Sequence, residues 1–151
     1  MTWLGSWTGR RADRRAWPAI TRDLLLDEED EVARTAWRAA ARLVPADAAA
    51  ALADTLATQF GRGDRVTQRS LSRALAALGD AATPVIRRAT QHSDPRIRTH
   101  AVATERLIRH PDEGFDVALA TAKRTVALRG ARSDARLLTG LMVILAACDS
   151  R

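Results

Sequence analysis

One pattern occurs twice within residues 63–109, and it limits what the chain can fold into. Each copy has an aspartate, then a β-branched apolar residue, then an apolar stripe at helical spacing. Asp64 leads to Val66, Leu71, Ala74 and Leu78; Asp94 leads to Ile97, Ala101, Val102 and Ile108. Between the copies lie a tight link, Leu78-Gly79-Asp80, and a short helix opened by Pro84 that carries Val85 and Ile86. A self-similar unit of roughly 30–45 residues made of two helices buries its apolar face only by stacking on neighbouring units. The spacing therefore predicts an all-α, right-handed α-solenoid of about three helical pairs plus a lone C-terminal helix.

The rest of the chain is read outward from that unit. Residues 1–26 form a Trp- and Arg-rich segment with a short helix over 19–26, and residues 27–151 form the repeat domain. In the first segment Trp3 and Trp7 lie four apart, Arg10, Arg11, Arg14 and Arg15 follow, and Pro18 fits a first helical position. The Trp residues are expected to cover the open end of the stack; the alternative is a docking arm. The acids of 27–31 suit the positive end of a helix dipole, as a solvated helix start. The first long helix is expected over 32–43, with Val32, Ala36, Trp37, Ala40 and Leu43 apolar. A second follows over 47–59, with Asp47 as its N-cap. Asp64 caps the next, with Arg65, Arg69 and Arg73 on an exposed face. Helices over 82–92, 95–109 and 115–128 follow, Arg129-Gly130 closes the last of these, and Ser133 or Asp134 caps a final helix over 135–148.

The run ALGDAATPVIRRATQHSDPRIRTHAV resembles the short bacterial type of the HEAT-repeat family. The matching residues are Leu78, Gly79, Asp80, Ala82, Pro84, Ile86, Asp94, Pro95, Ile97, Arg98 and Ala101. The likeness is best over 63–108, returns at 115–119, weakens at 32–43 and does not cover 1–26. It implies that the second helix of each pair (47–59, 82–92 and 115–128) lines a concave side. That side would carry Arg87, Arg88, Gln91, Lys123 and Arg124. HEAT proteins have many unrelated functions, so the resemblance implies a fold and no reaction.

Composition bounds the rest. The chain has 151 residues, 46% hydrophobic and 28% charged, which suits one folded domain. Its net charge is +6, with 23 Arg against one Lys. From 61 to 110 there are ten Arg against four acids, so the surplus is concentrated there. The single Cys148 allows no intrachain disulfide and suits a reducing cytoplasm. No continuous apolar run precedes the N-terminal Arg cluster as a signal peptide would require, and 137–148 is too short to span a bilayer, so no membrane partner is expected. His92, His100 and His110 lack zinc-ligand spacing and are expected as polar surface or joint residues. No metal, cofactor or catalytic group is expected.

These observations lead to a non-catalytic binding or scaffold module for a protein partner. The alternative is a nucleic-acid-binding protein using the basic face, extending to a base-acting repair enzyme; against the latter, Trp37 falls in the first-helix series and the concave series carries no Trp. The last helix holds Leu137, Leu138, Leu141, Met142, Val143, Ile144, Leu145 and Cys148 on more than one side, with no later helix to cover them. Trp3, Trp7, Leu141, Ile144 and Leu145 are thus candidate interface residues, and this end is expected to carry either a self-association or a partner-docking patch; the alternative is burial within one monomer by the N-terminal Trp segment or the preceding helix.

Overall fold

Asp64 and Asp94 both start helices, as their place in the pattern requires. The Asp64 carboxylate accepts from the Thr67 N–H at 2.9 Å and the Asp94 carboxylate from the Arg96 N–H at 2.8 Å. Pro95 takes the first turn after Asp94, where its missing N–H costs nothing. The computed structural model describes residues 17–149. Trp3, Trp7 and the Arg cluster that follows them lie outside the described residues.

Among the described residues seven α-helices run in order: α1 (Arg22–Leu25), α2 (Asp30–Leu43), α3 (Ala49–Ala57), α4 (Arg65–Ala77), α5 (Thr83–Ala89), α6 (Pro95–Arg109) and α7 (Phe115–Asp149). Single 3-10 turns at Trp17–Ala19, Ala46–Ala48, Gly79–Ala81 and Pro111–Glu113 fill joints, and the described residues contain no strand. The fold is all-α. In one row α2 packs on α4 and α4 on α6; in a second, α1 packs on α3 and α3 on α5; α7 packs chiefly on α6 rather than on α5, so it does not continue the second row expected for 115–128.

The main core joins both rows through Trp37, Leu52, Leu56, Phe60, Leu71, Leu75, Val85 and Ile86. Trp37 is fully buried, and its indole N–H donates to the Leu25 carbonyl at 2.8 Å, which satisfies the polar tip of a core aromatic. A second, smaller cluster of Ala103, Phe115, Ala118, Leu119 and Ala122 holds α7 against α6.

Several expectations need correction. Asp47 does not cap α3; it sits in a 3-10 turn, and Ala48 precedes the helix without a side-chain bond. Val66 and Ile108 are exposed, at 49% and 42%. The buried face of α4 is instead Thr67, Leu71, Ser72, Ala74 and Leu75, because a buried polar network claims two of its positions. The acids at 27–31 are not simply solvated. Arg62 reaches from the α3–α4 joint to the Asp30 carboxylate at 2.9 Å and to the carbonyls of Asp27 and Glu28.

The largest correction is at Gly130. No break divides the last two expected helices; α7 continues through Gly130 and Gly140 for 35 residues. A glycine ends a helix by adopting positive φ, and neither of these does, whereas Gly61, Gly63, Gly79 and Gly114 do. With no Pro to force a stop, a glycine inside a helix costs only about 1 kcal/mol. A 35-residue helix is about 52 Å long, and the 15-residue α6 beside it about 22 Å, so α6 accompanies less than half of it.

Candidate functional site

Three places on the described surface hold residues that could contact a partner. They differ in chemistry, and only one matches the concave set expected from sequence.

The first is a shallow depression of about 820 Å³ over α5, lined by Asp80, Thr83, Pro84, Arg87, Arg88 and Gln91. It brings Arg87, Arg88 and Gln91 together, because α5 packs Val85, Ile86 and Ala89 inward and turns these three out. Arg88 is partly committed, with an ion pair to Asp54 at 3.0 Å. Lys123 is not in this group. It lines a separate depression with Arg65, Gln68, Arg96 and the edge of His100. Arg124 is exposed on α7. Arg87, Arg88 and Gln91 therefore share one depression, Lys123 lines another, and Arg124 lines neither.

The second is a groove of about 610 Å³ where the α5–α6 joint faces the middle of α7. Arg98 stands on one bank, and Arg129, Arg132 and Arg136 on the other. Gln91 lines both this groove and the α5 depression, so the two adjoin. The Arg98 guanidinium is held by the carbonyls of His92 and Ser93, each at 2.8 Å.

The third is the outer half of α7. Every residue from 131 to 148 is exposed. Leu137, Leu138, Leu141, Met142, Val143, Ile144 and Leu145 each leave more than half of their surface open. At 100° per residue Leu137, Leu141, Ile144, Leu145 and Cys148 fall on one stripe. Arg132 falls opposite this stripe, on the side that carries Val143, and Arg136 falls on its flank.

His100 is a finding that sequence reasoning missed. It is 1% exposed rather than a surface or joint residue. The Gly61 N–H donates to its Nδ1 at 2.9 Å, which leaves the ring proton on Nε2. That N–H is shared between the Gln68 carbonyl at 2.9 Å and the Ser72 hydroxyl at 3.0 Å. Ser72 in turn lies 2.7 Å from the Thr104 hydroxyl, which donates to the His100 carbonyl at 2.9 Å. Phe60 and Phe115 meet the ring edge-on at 5.0 and 6.1 Å. Burial pushes the imidazole down from its ordinary value of 6.5 to about 4, against a smaller upward pull from the Gln68 carbonyl. The ring is neutral at pH 7 and its nitrogens are occupied by structure. No sequence signal marked it, since a lone histidine on a helix carries no spacing pattern.

The other histidines are exposed, with His92 accepting from the Asp94 N–H at 3.0 Å. Among the described residues no group of His, Cys, Asp or Glu is placed to hold a metal ion, and no helix is long and apolar enough to cross a membrane. No protein-family model, curated protein or solved structure matches the chain.

Proposed function

We propose that this chain is a non-catalytic binding module of HEAT-like repeats that docks a protein partner through the outer half of α7. The repeat reading rests on the Asp-capped starts at Asp64 and Asp94 and on the two rows of helices. The observation that carries the function is the exposure of 131–148 with seven large apolar side chains on it. Contiguous exposed apolar surface marks an interface. The partner is a second copy of the chain. Val143 projects from the other side, but the open apolar surface of the six side chains on and beside the stripe is on the order of 700 Å², close to the share of about 800 Å² that one partner contributes to a standard interface.

Light scattering over a concentration series tests this reading. The molar mass is expected to rise from one chain toward two with concentration. Leu141→Glu and Ile144→Glu should hold it at one chain while leaving the helical circular-dichroism signal of the body intact. A mass of one chain throughout, together with loss of several kcal/mol of stability in both variants, would mean that the stripe is packed inside the monomer. That result would overturn the proposal.

A further inference from the structure

The groove between the α5–α6 joint and α7 has no role in the reading above. Its two banks and the adjoining α5 depression carry six arginines: Arg87, Arg88, Arg98, Arg129, Arg132 and Arg136. Against them stand two lining acids, Asp80 and Asp134, so the lining nets four positive charges. Arg88 is shared with Asp54, but Arg129, Arg132 and Arg136 make no ion pair with a described residue. Cations left unpaired and aimed at a common trough repel one another, a cost that an anion removes.

Shape and composition narrow the class of anion. The two depressions are open and adjoin at Gln91, which suits a chain of charges better than one small molecule. Arg129 to Arg136 covers about 10 Å along α7, with Arg98 opposite. Arginine forks match phosphate oxygens in pairs, and Gln91 and Ser133 add neutral donors of the kind that contact a sugar-phosphate chain. No aromatic residue lines either depression, so nothing there stacks on an unpaired base as a single-strand platform requires.

We infer that this arginine groove holds the phosphodiester backbone of a nucleic-acid duplex, without reading its sequence. Arg98 is fixed in place by the joint carbonyls, and the α7 arginines close on the same strand from the other bank. Arg132 lies opposite Leu141 on α7, so binding here does not need the apolar stripe.

Fluorescence anisotropy with a labelled random-sequence DNA duplex tests it, with duplex RNA, single-stranded DNA and polyglutamate as competitors. About four phosphate contacts predict that affinity drops about 100-fold between 50 and 200 mM salt. The pair Arg132→Ala and Arg136→Ala should weaken binding at least about tenfold at low salt and lower the salt slope by about two. The pair Arg38→Ala and Arg42→Ala, in a depression between α2 and α4, should change neither. Either duplex should compete better than the single strand, and the two duplexes rank DNA against RNA as the source of the backbone. Equal losses from both arginine pairs would show diffuse attraction and overturn the site. Binding without salt dependence, or polyglutamate competing as well as duplex, would overturn the ligand.

Discussion

Lowering the pH should loosen this fold well before most of its carboxylates protonate, and His100 is the reason. In the unfolded chain the imidazole binds a proton at its ordinary value of 6.5; in the fold it does so only near 4. The folded value is the lower one, so between these limits the unfolded state holds more protons than the native state. Stability is therefore full above about pH 6.5 and declines as pH falls, levelling off near 4. The full separation corresponds to about 3 kcal/mol, of which about 2 kcal/mol is lost by pH 5. The structural cause is specific. A proton added at Nδ1 would point at the Gly61 N–H, which now donates to that atom. Asp64 and Glu113, both held below their ordinary values by hydrogen bonds, to Thr67 and Arg106 respectively, are lost only at lower pH.

Urea unfolding followed by circular dichroism at pH 7.5, 6, 5 and 4 measures this curve. His100→Gln keeps an amide donor and acceptor but does not titrate, so it should be less stable at pH 7.5 and much flatter from 7.5 to 5. The His100 ring carbon resonance should also stay in its neutral position down to about pH 5 in the native protein. A native curve flat between pH 6.5 and 4.5, or the same slope in His100→Gln, would refute the reasoning.

Three further outcomes are expected. Arg62→Ala should cost about 2–4 kcal/mol in the same assay, since its guanidinium joins Asp30 and the Asp27 and Glu28 carbonyls while lying 5.8 Å above the Trp37 ring; Arg62→Lys should recover less than half, because an ammonium cannot fork. Gly63→Ala should cost about 2 kcal/mol or more, because its φ is +70° and a new Cβ would sit 2.8 Å from an Asp30 carboxylate oxygen and 2.9 Å from Thr67. Gly130→Ala and Gly140→Ala should each raise helix stability by about 0.5–1 kcal/mol, read as a higher thermal midpoint, because both are helical with nothing within 4 Å of an added Cβ.

The joints of this fold were legible because they depend on single residues with local physics. Asp64, Asp94 and Pro95 start helices by satisfying or omitting orphan N–H groups, and neither effect needs a partner distant in sequence. The polar core was not legible for the opposite reason. Ser72, His100 and Thr104 are buried because they satisfy one another across α4 and α6, Thr67 because its hydroxyl donates to the Asp30 carboxylate of α2, and hydrophobic spacing ranks Val66 above all four. Arg62 was hidden in the same way, since Gly61-Arg62-Gly63 looks like a helix stop and its partners are more than thirty residues away. Of the expected surface set, Arg87, Arg88 and Gln91 could be grouped from helix phase alone. The opposite bank could not, because it depends on α7 running through Gly130.

The continuity of α7 changes how the molecule holds together. The main core ends at Ala101, and the second begins at Ala103 and relies largely on alanines and Phe115. Alanine buries little area, so dispersion and hydrophobic burial tie α7 to the body weakly for a helix of its length. The His100 network lies between the two clusters: its ring touches Phe60 of the first and Phe115 of the second, and its bonds reach Gly61, Gln68 and Ser72. His100 thus joins the two clusters through its ring contacts, and the Asp116 carboxylate adds ion pairs to Arg65 and Arg69, so the first turns of α7 link the helix to the main core. The residues that would meet a partner, Leu141 and Ile144 on the apolar stripe and Arg132 and Arg136 in the groove, all lie beyond that link. An α7 loosened at low pH would present them on a less fixed support, so any binding through α7 should weaken over the pH range in which His100 gains its proton.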